Sequence, residues 1–112
     1  MANLIRLNRV GRTHADVFFS KHELGQILSE YSAGVIKGDW RDYAIDRSSH
    51  VASFSIFRRT LERPVYAFIK WQKPGQTAPV FALLHGPKII MSSPSLSTVM
   101  DRFKTIPKLV HS

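Results

Sequence analysis

The 112 residues include no cysteine, which excludes a disulfide framework and any zinc site built on thiolates. No apolar run approaches the roughly 18 residues that a membrane-spanning helix needs, so the chain is not expected to enter a membrane. Acidic residues are scarce, eight against sixteen Lys and Arg, and the net charge is +8. The marks of common catalytic chemistry are also missing. There is no phosphate-binding glycine loop, no His-Glu-x-x-His run and no Gly-x-Ser-x-Gly elbow. The histidines at 14, 22, 50, 85 and 111 lack the i, i+4 spacing of a helical metal site. Asp39, Asp42 and Asp46 are the one cluster of carboxylates, without the alternating spacing and glycine of a calcium loop. Such a cluster shares acid and base roles only if burial drives its pKa values apart. Pairing with Arg41, Arg47 or the later arginines is the simpler use. The sequence is therefore read as a protein with no catalytic residue, no metal ligand, no cofactor and no identified small-molecule substrate; it is not expected to be an enzyme.

What the chain does have is an uneven charge. Residues 1–19 carry three arginines against Asp16, and residues 20–46 carry five acids against Lys21, Lys37 and Arg41. Residues 47–112 hold ten basic groups against Glu62 and Asp101 alone. An excess confined to one part of a chain favours a polyanionic partner, nucleic acid above all. Met1 to Val10 shows neither the long apolar run nor the cleavage site of a secretory leader, so a cytoplasmic location is expected.

The length suits one domain, 1–112, able to bury a core without staples. Residues 1–12 have no clean period and read as a loose arm, and 107–112 read as a short tail. Val17-Phe18-Phe19 suits an edge strand or the lead into a helix. Ser20 and Glu23 form a capping box, with Phe19 and Leu24 placed as a hydrophobic staple. Leu24, Ile27, Leu28, Tyr31 and Val35 then fall on one helical face, and Gly38 ends the helix with Lys37 suited to its C-terminal dipole. From Trp40 to about Ser92 the pattern changes to strands. Between Val51 and Arg59, Ala52, Phe54 and Ile56 share one face and Ser53 and Ser55 the other. Thr60 to Pro64 makes a connection of hairpin length, with Pro64 at the first position of the strand that runs to Trp71. Lys73 to Pro79 is a loop, and His85-Gly86-Pro87 a tight turn between two further strands. Leu96, Val99, Met100, Phe103 and Ile106 return to helical spacing, capped by Ser93 or Ser95 and stopped by Pro107. The expected fold is α+β: a meandering antiparallel sheet of four to six strands with two helices packed on one face.

Gly38-Asp-Trp-Arg-Asp-Tyr-Ala-Ile-Asp46, Ala52-Ser-Phe-Ser-Ile-Phe-Arg-Arg59 and Glu62-Arg-Pro-Val-Tyr66 together resemble a family of small bacterial proteins known only as a domain of unknown function. The upstream helix, with Glu23-Leu24, Ile27-Leu28 and Tyr31, is similar too, so the resemblance covers roughly 16–103. It departs at Ile90-Met-Ser-Ser-Pro94, where the family pattern has a Lys-Arg-Gly segment after a glycine-bearing turn. The resemblance implies a fold group and a bacterial origin, without a mechanism.

The candidate binding surface is an arginine-aromatic group on the strands. A sheet face with basic groups and a few aromatics stacks unpaired bases and neutralises phosphates. The candidate nucleic-acid residues are Arg41, Tyr43, Arg58, Arg59, Arg63, Lys70, Trp71 and Lys73. The plainer use of the same residues puts the aromatics in the core, with the arginines lying over them and pairing with Asp42, Asp46 or Glu62. Trp40 is expected to plug the helix-sheet junction, its indole N–H on a local partner. The competing functional class is a protein-interaction module that pairs with itself or with a partner through a sheet edge or an apolar face.

Overall fold

The computed structural model describes residues 16–60 and 62–106, so the expected arm, 1–12, and tail, 107–112, lie outside the described residues. The order of elements is α1 (Lys21–Lys37), β1 (Asp42–Arg47), β2 (Val51–Phe57), β3 (Tyr66–Trp71), β4 (Val80–His85), β5 (Lys88–Ser93) and α2 (Leu96–Thr105). The strands form one antiparallel sheet in chain order, each paired with the next. This is the α+β meander with two helices that the residue pattern predicts.

α1 starts where the sequence places it. Ser20 Oγ accepts the Glu23 N–H at 3.1 Å, and Glu23 Oε1 accepts the Ser20 N–H at 2.8 Å. Val17 to Phe19 is the lead into this helix, and Phe19 and Leu24 both pack against the core. The helix ends at Gly38, whose φ of 85° lies in the left-handed region. There Gly38 N–H bonds Val35 C=O and Asp39 N–H bonds Gly34 C=O, which satisfies two carbonyls of the last turn. α2 is capped by Ser95, and at its other end Ile106 N–H donates to Phe103 C=O.

The register sorts the sheet into two faces. Opposite partners include Ile45 with Phe54, Phe54 with Phe68, and Phe68 with Leu83. Directly opposed residues share a face, so Phe54, Ile56, Tyr66, Phe68, Phe81 and Leu83 all lie on one side. Ile27 and Tyr31 of α1 and Leu96, Val99, Met100 and Phe103 of α2 pack on that same side. Phe103 is the hub, edge-on to Tyr66 and Phe68 with ring centroids 5.3 and 5.0 Å away. The other face carries Ser53, Ser55, Phe57, Ala67, Ile69, Trp71, Val80 and Leu84, and neither helix packs there.

Two local expectations change. Pro64 lies in the connection before β3, because regular pairing begins at Tyr66; Val65 N–H already bonds Ile56 C=O across the gap. Val35 is 40% exposed, and the buried member of that turn is Gly34, over which the Trp40 indole is seated. Trp40 does plug the junction between α1 and the sheet. It is buried, its Nε1–H donates to Tyr31 C=O at 2.9 Å, and its ring lies against Phe103 and Tyr66.

Candidate nucleic-acid interface

In a meander the second and fourth connections emerge at the same end of the sheet, beside the start of the first strand. Arg58, Arg59 and Arg63 belong to the β2–β3 connection, and Arg41 immediately precedes β1, its N–H bonded to Phe57 C=O at 2.9 Å. Lys88 opens β5 at this end, since His85 pairs with both Tyr66 and Lys88. The candidate residues Arg41, Arg58, Arg59 and Arg63 are thus brought together, and Lys88 joins them. Reasoning along the chain missed Lys88; the signal was the tight turn at Gly86-Pro87, which returns the chain to the arginine end. Arg102 on α2 borders the same region: burial raises the Tyr66 hydroxyl above the ordinary tyrosine value, and the Arg102 charge opposes that rise.

Among the described residues, Asp42, Asp46 and Glu62 form no ion pair with these arginines. The described ion pairs are Arg47 with Asp16 at 3.0 Å, Lys70 with Glu23 at 2.8 Å and Lys104 with Glu30 at 3.8 Å. Asp42 instead accepts the N–H of Tyr43 at 2.8 Å. Arg41, Arg58, Arg59, Arg63 and Lys88 have no ion-pair partner among the described residues. Their charge is left for solvent or a ligand.

The remaining candidates are separated from this group. Lys70 faces the helices at the far end of β3. Its Nζ donates to Glu23 Oε1 and, at 2.7 Å, to Phe18 C=O. It ties the lead into α1 to the sheet. Tyr43 lies on the helix-bearing face of the edge strand, stacked on Phe54 with centroids 4.9 Å apart and edge-on to Tyr31. Trp71 lies on the uncovered face at the end remote from the arginines, 38% exposed, with Lys73 Nζ 5.2 Å from its ring centroid. Six residues of β3 separate the two ends, roughly 20 Å of strand.

A cavity of about 530 Å³ opens at the Trp71 end, between Asp16–Phe18, the β1–β2 turn at His50 and the loop Gln72–Gln76. Two of its charged groups are already committed, Asp16 to Arg47 and Lys70 to Glu23. Among the described residues no three His, Asp or Glu side chains gather as a metal would require, there or elsewhere.

The stretch from the α1 lead through the fifth strand and into α2 matches the sequence pattern of one protein family, and that match decides the membership. The chain belongs to the family described as Protein of unknown function (DUF2794). The match runs over residues 17–100, which takes in α1, all five strands and the first half of α2. No curated protein and no solved structure matches the chain. No helix of the described residues is long and apolar enough to cross a membrane.

Proposed function

We propose that this chain is a small nucleic-acid-binding module that lays a single strand across the uncovered face of its sheet. The observation that carries the reading is the placement of both helices on the Phe54–Phe68 side, which leaves the opposite face bare between cations at its two ends. Arg58, Arg59 and Arg63, flanked by Arg41, take phosphates at one end, and Lys73 takes them at the other. Trp71 supplies the flat surface on which a base stacks, and the Ser53, Ser55 and Ala67 stretch between the ends lets the strand lie close to the sheet. Unpaired cations suit this use because they release counterions from the nucleic acid without first breaking an ion pair. Lys70 and Tyr43 hold the fold here and are not part of the ligand surface.

The test is fluorescence anisotropy with labelled single-stranded DNA and RNA and with duplexes, titrated from low to physiological salt. Five phosphate contacts predict a log–log salt slope of about −3.5 on single strands. Replacing Arg58, Arg59 and Arg63 together by alanine is expected to weaken binding at least tenfold and to flatten the slope. Absence of binding at low salt, or binding indifferent to that triple substitution, overturns the reading.

A further inference from the structure

β1 is an edge strand, and its backbone directions define what it offers. Ser48 N–H bonds Val51 C=O at 2.7 Å in the β1–β2 turn. Counting back along the register, residues 42, 44 and 46 direct their N–H and C=O groups into the sheet, while Tyr43, Ile45 and Arg47 direct theirs outward. Asp42 occupies the Tyr43 N–H. The N–H groups of Ile45 and Arg47 and the carbonyls of Tyr43 and Ile45 have no partner among the described residues. The strand has no proline, and its ladder shows no shift from Asp42 to Arg47. The other edge is protected: the β4–β5 ladder shifts register between Leu83 and Leu84, where Met91 and Ile89 are their partners, and α2 packs on β5.

A second, independent feature borders the same edge. Tyr43 and Ile45, on the helix-bearing face, are 42% and 46% exposed, and Phe18, under the Arg47 guanidinium, is 52% exposed. Val35, one turn beyond the Tyr31 that touches Tyr43, is exposed as well. Four large apolar side chains thus accompany a row of unpaired backbone groups.

We infer that β1 is the interface of a symmetric homodimer, in which two copies pair their β1 strands antiparallel and extend the sheet to ten strands. The strand's own sequence argues for a second copy as the occupant, because it is complementary to itself in one register. Opposed residues share a face, so a two-fold axis that keeps all four helices on one side must pass through a residue. Centred on Ala44, it would set Asp42 against Asp46 of the second copy, twice, which like charges disfavour. Centred on Ile45, it sets Ile45 against itself and Tyr43 against Arg47 of the second copy, an aromatic against a cation. Ile45 N–H then meets Ile45 C=O in both directions, and Arg47 N–H meets Tyr43 C=O in both directions. These four hydrogen bonds form with Asp42 still capping Tyr43. The bare face stays free on both copies, so the inference does not depend on what that face binds.

Light scattering across a concentration series measures the mass directly. The expected result is twice 12.7 kDa at high concentration, falling toward 12.7 kDa on dilution. Ile45→Lys, which sets a charge against itself at the axis, is expected to weaken the dimer more than tenfold with an unchanged circular dichroism spectrum, while Ile89→Lys on β5 leaves it intact. The absence of native cysteine permits a check of register. Ile45→Cys places two thiols on Cα atoms about 5.5 Å apart and is expected to form a covalent dimer on mild oxidation. Ala44→Cys stands across from Asp46, out of disulfide reach of its own copy, and is expected not to cross-link. A monomer at all concentrations, a dimer indifferent to Ile45→Lys, or cross-linking by Ala44→Cys in place of Ile45→Cys each overturns the inference.

Discussion

The indole of Trp40 occupies the space that any side chain at Gly34 would need. A Cβ built at position 34 falls on the Cε2, Cζ2 and Nε1 atoms of that ring. The glycine sits inside α1, where alanine would ordinarily gain about 1 kcal/mol of helix propensity. Here the ring is fixed from three sides, by Phe103, by Tyr66 and by its hydrogen bond to Tyr31, so it cannot yield cheaply. Gly34→Ala is therefore expected to destabilise the protein by about 1–3 kcal/mol, as overpacking does. Urea unfolding followed by far-UV circular dichroism measures this. A variant more stable than the parent would mean that propensity wins and that the indole is not held.

The same pair shows where reading along the chain stops. The capping box and Gly38 are local, and each acts as its spacing predicts. Hydropathy assigns burial to large apolar residues and so predicts Val35 on the buried face, yet it is exposed. A glycine carries no such signal, and the reason Gly34 is buried lies six residues away in a ring folding back over the helix end. The meander was legible for the opposite reason. Alternation fixes the two faces of each strand, and short connections leave neighbours little choice of partner.

The Glu23–Lys70 pair gives the fold a defined response to acid. Burial would raise the Glu23 carboxyl, but the hydrogen bond from Lys70, the Ser20 N–H and the Lys70 charge outweigh it and hold the group below its ordinary value of 4.5. A carboxyl lowered in the folded state adds stability above its unfolded pKa and loses it as pH falls through the folded one. Glu23→Gln keeps an oxygen for the Ser20 N–H and removes the charge. It is expected to cost about 1 kcal/mol at neutral pH, with the difference from the parent closing as pH falls below 4.5. Thermal melts from pH 7 to pH 3 check this; a gap that widens in acid would reverse the sign of the argument.

Ser20→Ala removes the other half of the box. Its hydroxyl serves the Glu23 N–H, and its loss is expected to cost about 1 kcal/mol, less if the carboxylate compensates by itself. Hydrogen exchange resolves the effect to the first turn of α1, whereas a global loss of equal size at α2 amides would place the consequence in the core.

Alternation along β3 sets Lys70 on one face with Tyr66 and Phe68; what no local pattern shows is that Glu23, 47 residues away, reaches across to claim it. Lys73, three positions on, has left the strand and stands over Trp71. The two lysines are close in sequence and alike in charge, yet opposite in assignment. Lys70→Ala leaves the Glu23 carboxylate with only the Ser20 N–H and the Phe18 carbonyl without its side-chain donor, so it is expected to lower stability while leaving anisotropy titrations with single-stranded DNA at the parent value wherever the protein stays folded. Lys73→Ala touches no ion pair, so it is expected to leave the melt unchanged, to weaken DNA binding several-fold and to reduce the salt slope by about 0.7. Measured side by side, a stability loss at position 70 and a binding loss at position 73 separate the tie within the fold from the cation at the bare face. The reverse pattern would place the ligand on the helix-bearing side, at the cavity that Lys70 lines.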